Sequence, residues 1–398
     1  MHEVFAENTR QDLTDSPMTD TNLAVSVLPT PLSNLLATAT RPPRTAEHLG
    51  VLTPQVFDAL PDETGALTSG AATHDLGWMR RVTVRGEDRF RWLSGMVTNT
   101  VSDLPANEGA WNMVLNAQGR IQGDLTVWRT SGTAAPQGAE SGGADPGTLE
   151  LEIAADQFDR LMAHLDHFII MDDVELVSHG STVETALGLT GPQADEVLTR
   201  MGIPTLSKPL AATSIEWNGL DLWVTRAYGV LVPHYELWTP AAGLTRLWRT
   251  LSTAGARPVG FAALNALRVA EGIAAYGIDI AERDLPQETS QTRGLHFDKG
   301  CYLGQEIVER IRSRGNVHRH LRQLELDGPV PFPSTELTME GAAAGKITSA
   351  AELPTAAGNR RFAMAMIRSE AEVKNRPLEY AVEGTSGTAR ILTEPPRL

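Results

Sequence analysis

The alternation of hydrophobic and polar residues predicts both strands and helices over most of the chain. Leu125 and Val127 alternate with polar neighbours, and residues 149–153 repeat that pattern, which is the period of a half-buried strand. Hydrophobic residues recur every three or four positions over 158–168, which indicates an amphipathic helix. The same criteria predict shorter helices at 192–201, 244–251 and 261–271, and strands at 81–84, 185–189, 220–225 and 235–238.

The order of these elements favours one fold class. Strands and helices interleave without a glycine-rich phosphate loop, so an α+β sandwich is favoured over a doubly wound nucleotide-binding fold. After about residue 318 helical periodicity disappears, and short strand-like runs predict a small β-barrel. We therefore expect an α+β domain over residues 65–317 and a C-terminal β-barrel domain over residues 318–398.

Two stretches have compositions that argue against packed structure. Residues 1–60 mix Pro, Thr, Asp and Ser without sustained periodicity, so we expect a disordered N-terminal tail with an alternative start at Met18. Residues 131–148 are rich in Gly, Ala, Ser and Pro, and they are expected to form a flexible insertion that links two paired strands.

Charge and cysteine content exclude several function classes. The net charge of −15 over 398 residues argues against non-specific binding to nucleic acid or anionic lipid, so direct nucleic-acid binding is not expected. Cys301 is the single cysteine, which excludes an intramolecular disulfide, a zinc finger and a one-chain four-cysteine cluster site, and no metal site is predicted. The sequence shows neither a signal peptide nor an apolar run of the roughly 18 residues that a membrane span needs, so a cytoplasmic protein without membrane contact is expected.

The segment with the clearest chemistry is residues 299–306, which read KGCYLGQE. It places the thiol of Cys301 near the ammonium of Lys299 and leads into a helix-like stretch that Gly315 would end. A nearby cation or helix N-terminus favours the thiolate, which is the usual origin of a nucleophilic or redox-active cysteine. The alternative is an inert, buried small side chain, because free cysteine is among the most buried residue types.

This segment is similar to the KGCYxGQE signature of YgfZ-type folate-binding proteins, a branch of the glycine-cleavage T-protein (GcvT, aminomethyltransferase) superfamily. The resemblance extends from about residue 65 over nearly the whole folded chain. It implies ferredoxin-like α+β subunits that form a folate-binding domain, followed by a small β-barrel. Further segments that resemble the family are 74–77, 86–88, 96–99, 189–192, 275–279, 286–288 and 345–349.

The resemblance implies that tetrahydrofolate, or a folate derivative, binds in the hole of a ring-like domain. Glu236 falls on the family's pterin-binding glutamate, and a carboxylate can accept two parallel hydrogen bonds from the ring N–H and amino group of a pterin. An outward-facing charge on a strand is the alternative interpretation. Arg226 lies on the same motif and is a further candidate ligand.

Three more cofactor-binding candidates follow from the same resemblance. Trp111 is a candidate for stacking on a folate ring, with an ordinary core tryptophan as the alternative. Asp124 is a candidate polar contact. Arg268 is a candidate ligand, although it lies three residues before Glu271 on one helix face and a structural pair between them is the alternative.

Two departures from the T-protein pattern argue against ordinary aminomethyl transfer. Residues 119–124 correspond to a turn that carries an Asp-Asp pair in aminomethyltransferases, and here Gly123 replaces one acid of the pair. The family also presents an arginine early in the helix that begins near residue 260, and this chain has Leu264 at that place.

The YgfZ resemblance implies an accessory protein that supports assembly or repair of iron-sulfur clusters in client enzymes, including tRNA-modifying enzymes. Cys301 would be the working residue, Lys299 would favour its thiolate, and Tyr302, Gln305 and Glu306 would position it. A folate-dependent one-carbon transferase and a folate-independent cluster-transfer scaffold are the alternatives. Iron-sulfur client enzymes or assembly proteins are the expected partners.

A basic stretch follows the signature segment. Three interpretations stay open for it: a solvated face, an anchor for the glutamate tail of folate, and a docking site for an acidic protein or RNA. Its residues are Arg310, Arg312, Arg314, His318, Arg319, His320 and Arg322.

Overall fold

The computed structural model describes residues 27–131, 147–315, 317–355 and 358–397. These residues form a mixed α+β domain followed by a closed antiparallel β-barrel, which confirms the predicted fold class. The helices are α1 (Pro31–Leu36), α2 (Leu60–Ser69), α3 (Arg89–Met96), α4 (Ala155–His167), α5 (Ala194–Met201), α6 (Leu244–Thr253), α7 (Phe261–Glu271), α8 (Gln305–Arg314) and α9 (Ser369–Lys374).

Most strands of the α+β domain belong to one large sheet. The strands that precede the barrel are β1 (Arg44–His48), β2 (Val51–Val56), β3 (Ala72–Asp75), β4 (Met79–Arg85), β5 (Glu108–Leu115), β6 (Ile121–Arg129), β7 (Leu149–Ala154), β8 (Glu175–His179), β9 (Glu184–Thr190), β10 (Ala211–Trp217), β11 (Leu220–Arg226), β12 (His234–Pro240) and β13 (Arg257–Pro258). Among the described residues, β1 and β2 form a hairpin, and the others form a sheet in the order β13-β3-β9-β12-β11-β10-β5-β6-β7-β4-β8.

This sheet has two halves that fold back toward each other. They join between β10 and β5, where Ala211 pairs with Glu108. Across the fold, Arg81 on β4 forms an ion pair of 2.9 Å with Glu184 on β9. Tryptophans fill the junction, because Trp128 on β6 packs edge-on against Trp223 on β11 at 5.5 Å between ring centroids. The inner face of each half therefore looks onto the other.

Helices cover the outer faces of the two halves. Leu161 and Leu165 on α4 pack with Val82 and Leu151 of the half that contains β4 to β8. In the other half, α5 and α6 pack against β9, β11 and β12 through a second hydrophobic core. Helix α7 follows the predicted bounds and ends at Gly272, whose φ of 68° is the left-handed conformation common at helix C-termini.

The C-terminal barrel contains β14 (Arg319–Asp327), β15 (Glu336–Met339), β16 (Ala342–Thr355), β17 (Gly358–Arg368), β18 (Leu378–Val382) and β19 (Thr385–Ile391), which close in the order β14-β17-β16-β15-β18-β19. The short helix α9 interrupts the run of strands predicted for this region. A buried contact holds the barrel against the first domain, because the hydroxyls of Thr348 and Ser349 both donate to Asp279 Oδ1.

The N-terminal region differs from the predicted disordered tail. Residues 27–60 contain α1 and the β1–β2 hairpin, and Leu32 on α1 is fully buried. The side chain of Thr30 caps α1 by accepting a hydrogen bond of 3.1 Å from the backbone N–H of Ser33. A six-residue helix and two short strands are too brief to produce a periodic pattern, and tertiary packing stabilises them. Residues 1–26, which include Met18, lie outside the described residues.

The predicted insertion is described only at its ends. Residues 132–146 lie outside the described residues, whereas the flanking strands β6 and β7 pair in antiparallel register as expected. In the parts of the chain that the structure covers, no helix is long and apolar enough to cross a membrane.

Candidate functional site

A cavity of about 320 Å³ lies between the two halves of the sheet, beside α7, the N-terminus of α4 and the tip of the β1–β2 hairpin. Its volume is at the small end of the range for ligand pockets. Aromatic rings and a few polar side chains make up its walls. The lining residues include His48, His74, Trp111, Asp124, Glu152, Gln157, Thr190, Tyr228, His234, Glu236, Phe261, Leu264, Arg268, Glu271 and Tyr276.

Glu236 lies in this cavity, at the middle of β12. Backbone pairing places it between Thr225 on β11 and Gly188 on β9. The Thr225 hydroxyl donates a hydrogen bond of 2.9 Å to Glu236 Oε2, which fixes the carboxylate on the inner face of the sheet. The side chain is half-buried, so the outward-charge alternative does not describe it.

Asp124 and Trp111 form a connected pair on the opposite wall. Trp111 Nε1 donates to Asp124 Oδ2 at 3.2 Å, and Gln157 Nε2 donates to Asp124 Oδ1 at 3.0 Å. Burial raises the pKa of Asp124 above its ordinary value, and the hydrogen bonds from Gln157 and Trp111 oppose that rise. The guanidinium of Arg293 stands 4.2 Å from the Trp111 ring centroid, so one face of this ring is already covered.

Arg268 lines the cavity, but its partner is not the one considered from the sequence. Its guanidinium bonds the buried carboxylate of Asp279 and donates to the carbonyl of Ile273 at 2.7 Å. Glu271 instead bonds His234 Nε2 at 3.0 Å and accepts the backbone N–H of Leu231 at 2.9 Å. The alternative of an Arg268–Glu271 pair is therefore not realised, because the turn after α7 brings Asp279 back to Arg268.

Arg226 does not reach the cavity. Neighbouring strand residues point to opposite faces, and Thr225 already occupies the inner face beside Glu236. The Arg226 guanidinium donates to the carbonyl of Leu206 and stands 5.7 Å from the ring centroid of Tyr235 on the other side of the sheet. Arg226 therefore packs against the outer side of the sheet and does not contact the predicted ligand site.

The signature segment also lies apart from the cavity lining. Lys299 Nζ donates to the carbonyls of Val97 and Asn99 at 2.7 and 2.6 Å, just after α3 ends. Burial lowers the pKa of Lys299 to about 8. Cys301 is exposed, which excludes the inert, buried alternative for this thiol. The contacts of Lys299 hold the segment to the end of α3, and among the described residues its ammonium contacts the Val97 and Asn99 carbonyls and the Tyr302 ring rather than Cys301.

The other three candidate residues of the segment, Tyr302, Gln305 and Glu306, have different environments. Tyr302 is buried in a hydrophobic core that also contains Trp111. Gln305 Oε1 accepts the backbone N–H of Tyr302 at 3.3 Å, which shapes the turn into α8. Glu306 is exposed and forms an ion pair of 3.0 Å with Arg310 one turn later.

Most basic side chains of this stretch form ion pairs with carboxylates. Arg319 bonds Asp284 and Glu288 at 2.7 and 3.0 Å. Arg322 and His320 both bond Glu372 on α9, so these residues attach β14 to its surroundings. On α8, Arg310 and Arg312 pair with acids of the same helix. The exposed pairs on α8 agree with the solvated-face interpretation, whereas Arg319, His320 and Arg322 form tertiary ion pairs that none of the three interpretations included. The side chain of Arg314 is not among those that the structure describes.

Several cavity residues were not predicted from the sequence. His74 Nε2 lies 3.0 Å from the Thr190 hydroxyl, and the same hydroxyl lies 3.3 Å from His234 Nδ1. Burial lowers the pKa of His74 to about 3, so its ring is neutral. Glu152 on β7 faces the cavity from the half opposite Glu236. The sequence held no distinctive signal for either residue, because the strand of His74 reads ATHD and Glu152 occupies a polar position of the alternating strand LELEIA.

The two departures noted in the sequence fall in different places. A Cβ atom on Gly123 would lie 2.6 Å from Gln157 Oε1 and 2.9 Å from Leu161 on α4, so an acid at this position would point at the helix. Asp124, the retained acid, faces the cavity. Leu264 lines the cavity directly, so this departure makes the cavity more apolar.

Comparison with known proteins identifies the family. The model of the GCVT N-terminal domain matches residues 40–299, which is more than half of the chain. The chain belongs to the GCVT family. Among the described residues of this GCVT protein, no group of three or more His, Cys, Asp or Glu side chains has an arrangement that could hold a metal ion.

The similar proteins cover this GCVT chain almost completely. An aminomethyltransferase of Nostoc sp. is 25% identical over 349 residues, or 86% of this chain and 89% of the relative. An aminomethyltransferase of Rippkaea orientalis is 25% identical over 389 residues, or 93% and 97%. The crystal structure of the glycine cleavage system aminomethyltransferase T from Bartonella henselae has a TM-score of 0.79 at 19% identity and covers 93% of this chain and 98% of that one. This last likeness shows that the fold is shared.

Proposed function

We propose that this GCVT-family protein binds tetrahydrofolate, or a related folate, with the pterin in the cavity between the two halves of the sheet. The observation that carries the proposal is the carboxylate of Glu236, held by Thr225 inside a cavity whose walls are mostly aromatic and apolar. Pterins combine a flat ring with adjacent N–H donors, and a carboxylate beside aromatic side chains is complementary to both features.

The dimensions and chemistry of the cavity fit the head group of this ligand. A cavity of about 320 Å³ accommodates a two-ring head group and leaves a longer tail to extend toward the opening. Glu236 would accept hydrogen bonds from the pterin ring. Phe261, Tyr228 and Tyr276 supply apolar ring surface, and Asp124 is placed to meet a ligand nitrogen from the opposite wall. Bound folate would supply nitrogen atoms that carry one-carbon groups.

We further propose the YgfZ-type role, which is support of iron-sulfur cluster assembly or repair in client enzymes, including tRNA-modifying enzymes, in the cytoplasm. The support is the KGCYLGQE segment together with the exposure of its thiol. An exposed cysteine is accessible to a partner protein, whereas the cavity that would hold folate is elsewhere in the domain. Client enzymes or cluster-assembly proteins are the partners that this role requires.

A complementation experiment tests the role of the thiol. In a strain that lacks the protein, we expect Cys301→Ser to fail to restore the activity of cluster-dependent enzymes. Ser313→Ala is the matched control, since Ser313 is exposed on the adjacent helix α8 and bonds only backbone carbonyls among its described contacts. Full activity with Cys301→Ser at equal protein levels would show that the thiol has no such role.

A folate-dependent aminomethyl or one-carbon transferase is the second candidate. The names of the similar proteins and the position of Asp124 in the cavity favour it. Because an acid at position 123 would face α4, Gly123 removes no acid from the cavity, and Leu264 becomes the main argument against this activity. Formation of methylenetetrahydrofolate from an aminomethyl donor by the pure protein would establish the transferase, and no product at high protein concentration would exclude it.

A further inference from the structure

Two carboxyl groups meet at the inner end of the cavity, one from each half of the sheet. Glu236 is on β12, and Glu152 is on β7, which belongs to the opposite half. Both line the cavity, and the indole of Trp238, two residues after Glu236 on the same face of β12, donates to Glu152, so the two carboxyl groups are neighbours. Two neighbouring carboxylates inside a protein cannot both be ionised at low cost, which favours a proton on one of them.

The surroundings of Glu152 identify it as the group that holds the proton. It is 3% exposed, and it lies deeper than the half-buried Glu236. Its two oxygens each accept an indole N–H, from Trp238 at 2.9 Å and from Trp128 at 2.8 Å. Burial, followed by the charge of Glu236, raises the pKa of Glu152 well above its ordinary value, and the two indoles only partly oppose that rise. A protonated Glu152 has one O–H to donate, and the indoles, which are themselves donors, leave Glu236 as its acceptor.

We propose that Glu152 is a positioning residue of the ligand site: it donates its proton in a hydrogen bond to Glu236 and so fixes the Glu236 carboxylate as an acceptor for the N–H groups of the ligand. This proposal deepens the proposed folate site and rests on it. Thr225 and Glu152 then hold Glu236 from two sides, and its remaining lone pairs face the cavity. When Glu152 loses its proton to solvent, two negative carboxylates repel each other and the orientation of Glu236 is lost.

The other charged and titratable groups around the pair have partners of their own. Arg81 is the β4 register neighbour of Glu152, yet its guanidinium bonds Glu184 and approaches Glu150. His74 on β3 is neutral because burial lowers its pKa to about 3. The remaining titratable groups that line the cavity, with their partners, are Asp124 (Trp111, Gln157), His234 (Glu271), Arg268 (Asp279), Tyr228 (Arg293), Tyr235 (Asp195), Tyr276 (Arg160) and His48, which stacks on Phe261.

Glu150 provides a matched control on the same strand. It lies two residues before Glu152 and is also buried, and burial raises its pKa too. It accepts the hydroxyl of Thr83 at 2.9 Å and lines a separate recess of about 660 Å³ that does not include Glu236. Glu150→Gln therefore changes the same kind of residue without altering the pair.

The first experiment is the affinity for tetrahydrofolate as a function of pH, under anaerobic conditions and across roughly pH 5 to 9, the range in which buried carboxyls titrate. We expect wild type and Glu150→Gln to lose up to about tenfold in affinity per pH unit above the pKa of Glu152. In Glu152→Gln the amide donates to Glu236 at every pH, so we expect this loss to disappear. A wild-type profile without the loss, or an equal loss in Glu152→Gln, would overturn the proposal.

Glutamine at position 152 has one side-chain oxygen, so only one of the two indoles keeps its acceptor. The double variant Glu152→Gln with Trp128→Phe removes the indole N–H that would otherwise be left without an acceptor.

Infrared spectroscopy of the ligand-free protein gives an independent result. We expect a protonated carboxyl C=O band that Trp128→Phe shifts and Glu152→Gln abolishes, while Glu150→Gln leaves it in place. Absence of such a band in wild type overturns the proposal even if folate binds, whereas no folate binding at any pH overturns the proposed function itself.

Discussion

At the residue scale, the cavity is built from charged and aromatic side chains whose orientation is fixed by hydrogen bonds from neighbouring elements. Glu236, Asp124, Trp111 and Arg268 were all identified from the sequence and all line one cavity. Arg226 was assigned to it as well, although strand alternation places it on the opposite face from Thr225. The partners of these residues could not be predicted, because Asp279 and Gln157 approach them from other elements.

A buried histidine makes stability depend on pH. Burial lowers the pKa of His74 from 6.5 to about 3, so the unfolded chain takes up a proton at this residue before the folded protein does. The stabilisation is complete above pH 6.5 and is lost as the pH falls toward 3. Between pH 6.5 and about 5, the free energy of unfolding of wild type should fall relative to His74→Gln by about 1.4 kcal/mol per pH unit.

Urea unfolding at several pH values measures this difference, and other groups that titrate in the same range cancel between wild type and variant. The exposed His318 supplies the control, because His318→Gln should follow the wild-type curve at every pH. An unchanged pH dependence in His74→Gln would show that His74 is not kept neutral by burial.

At the scale of elements, the signature segment is a turn that fastens α8 to the β5–β6 hairpin. Gly304 precedes α8 with a φ of 81°, and a Cβ atom there would lie 2.5 Å from the carbonyl oxygen of Asn116. Gly300 is in the same segment and has no atom within 4 Å of an added Cβ. The two glycines of this motif therefore have different structural requirements.

Alanine substitution distinguishes these glycines. Gly304→Ala should lower the free energy of unfolding by about 1 to 3 kcal/mol, since it adds both a left-handed backbone conformation and a steric clash. Gly300→Ala should remain within about 0.5 kcal/mol of wild type. Urea midpoints of the two variants test this difference, and equal midpoints would mean that α8 does not dock on the hairpin as described.

Element length decided which parts of the fold were predictable. Helices α4, α6 and α7 and strands β9, β11 and β12 agree with their predicted positions, because each has enough turns or alternations to form a pattern. Helix α1 and the β1–β2 hairpin were missed for the opposite reason. Contacts in the folded chain hold these elements in place. One example is the backbone pairing of residues 45–48 with β2.

At the scale of the whole molecule, the cavity exists because the sheet folds back on itself. Pairing between β10 and β5 joins the halves, and contacts such as that between Glu152 and Trp238 bring distant strands together. No local pattern encodes such a meeting, so Glu152 could not be predicted as a neighbour of Glu236. In the same architecture the exposed Cys301 does not line the cavity, so the proposed folate site and the proposed thiol site would be distinct surfaces of one domain.

The binding of tetrahydrofolate by wild type and Glu236→Gln tests the central claim most directly, with quenching of the eight tryptophans as the signal. Glu216→Gln is the control, because it removes an exposed carboxylate from β10 outside the cavity. We predict saturable binding by wild type and Glu216→Gln, and binding weaker by about 1 to 3 kcal/mol in Glu236→Gln, as for a lost buried hydrogen-bond partner. No saturable binding by wild type, or equal affinity in Glu236→Gln, would contradict the assignment of this cavity as a pterin site.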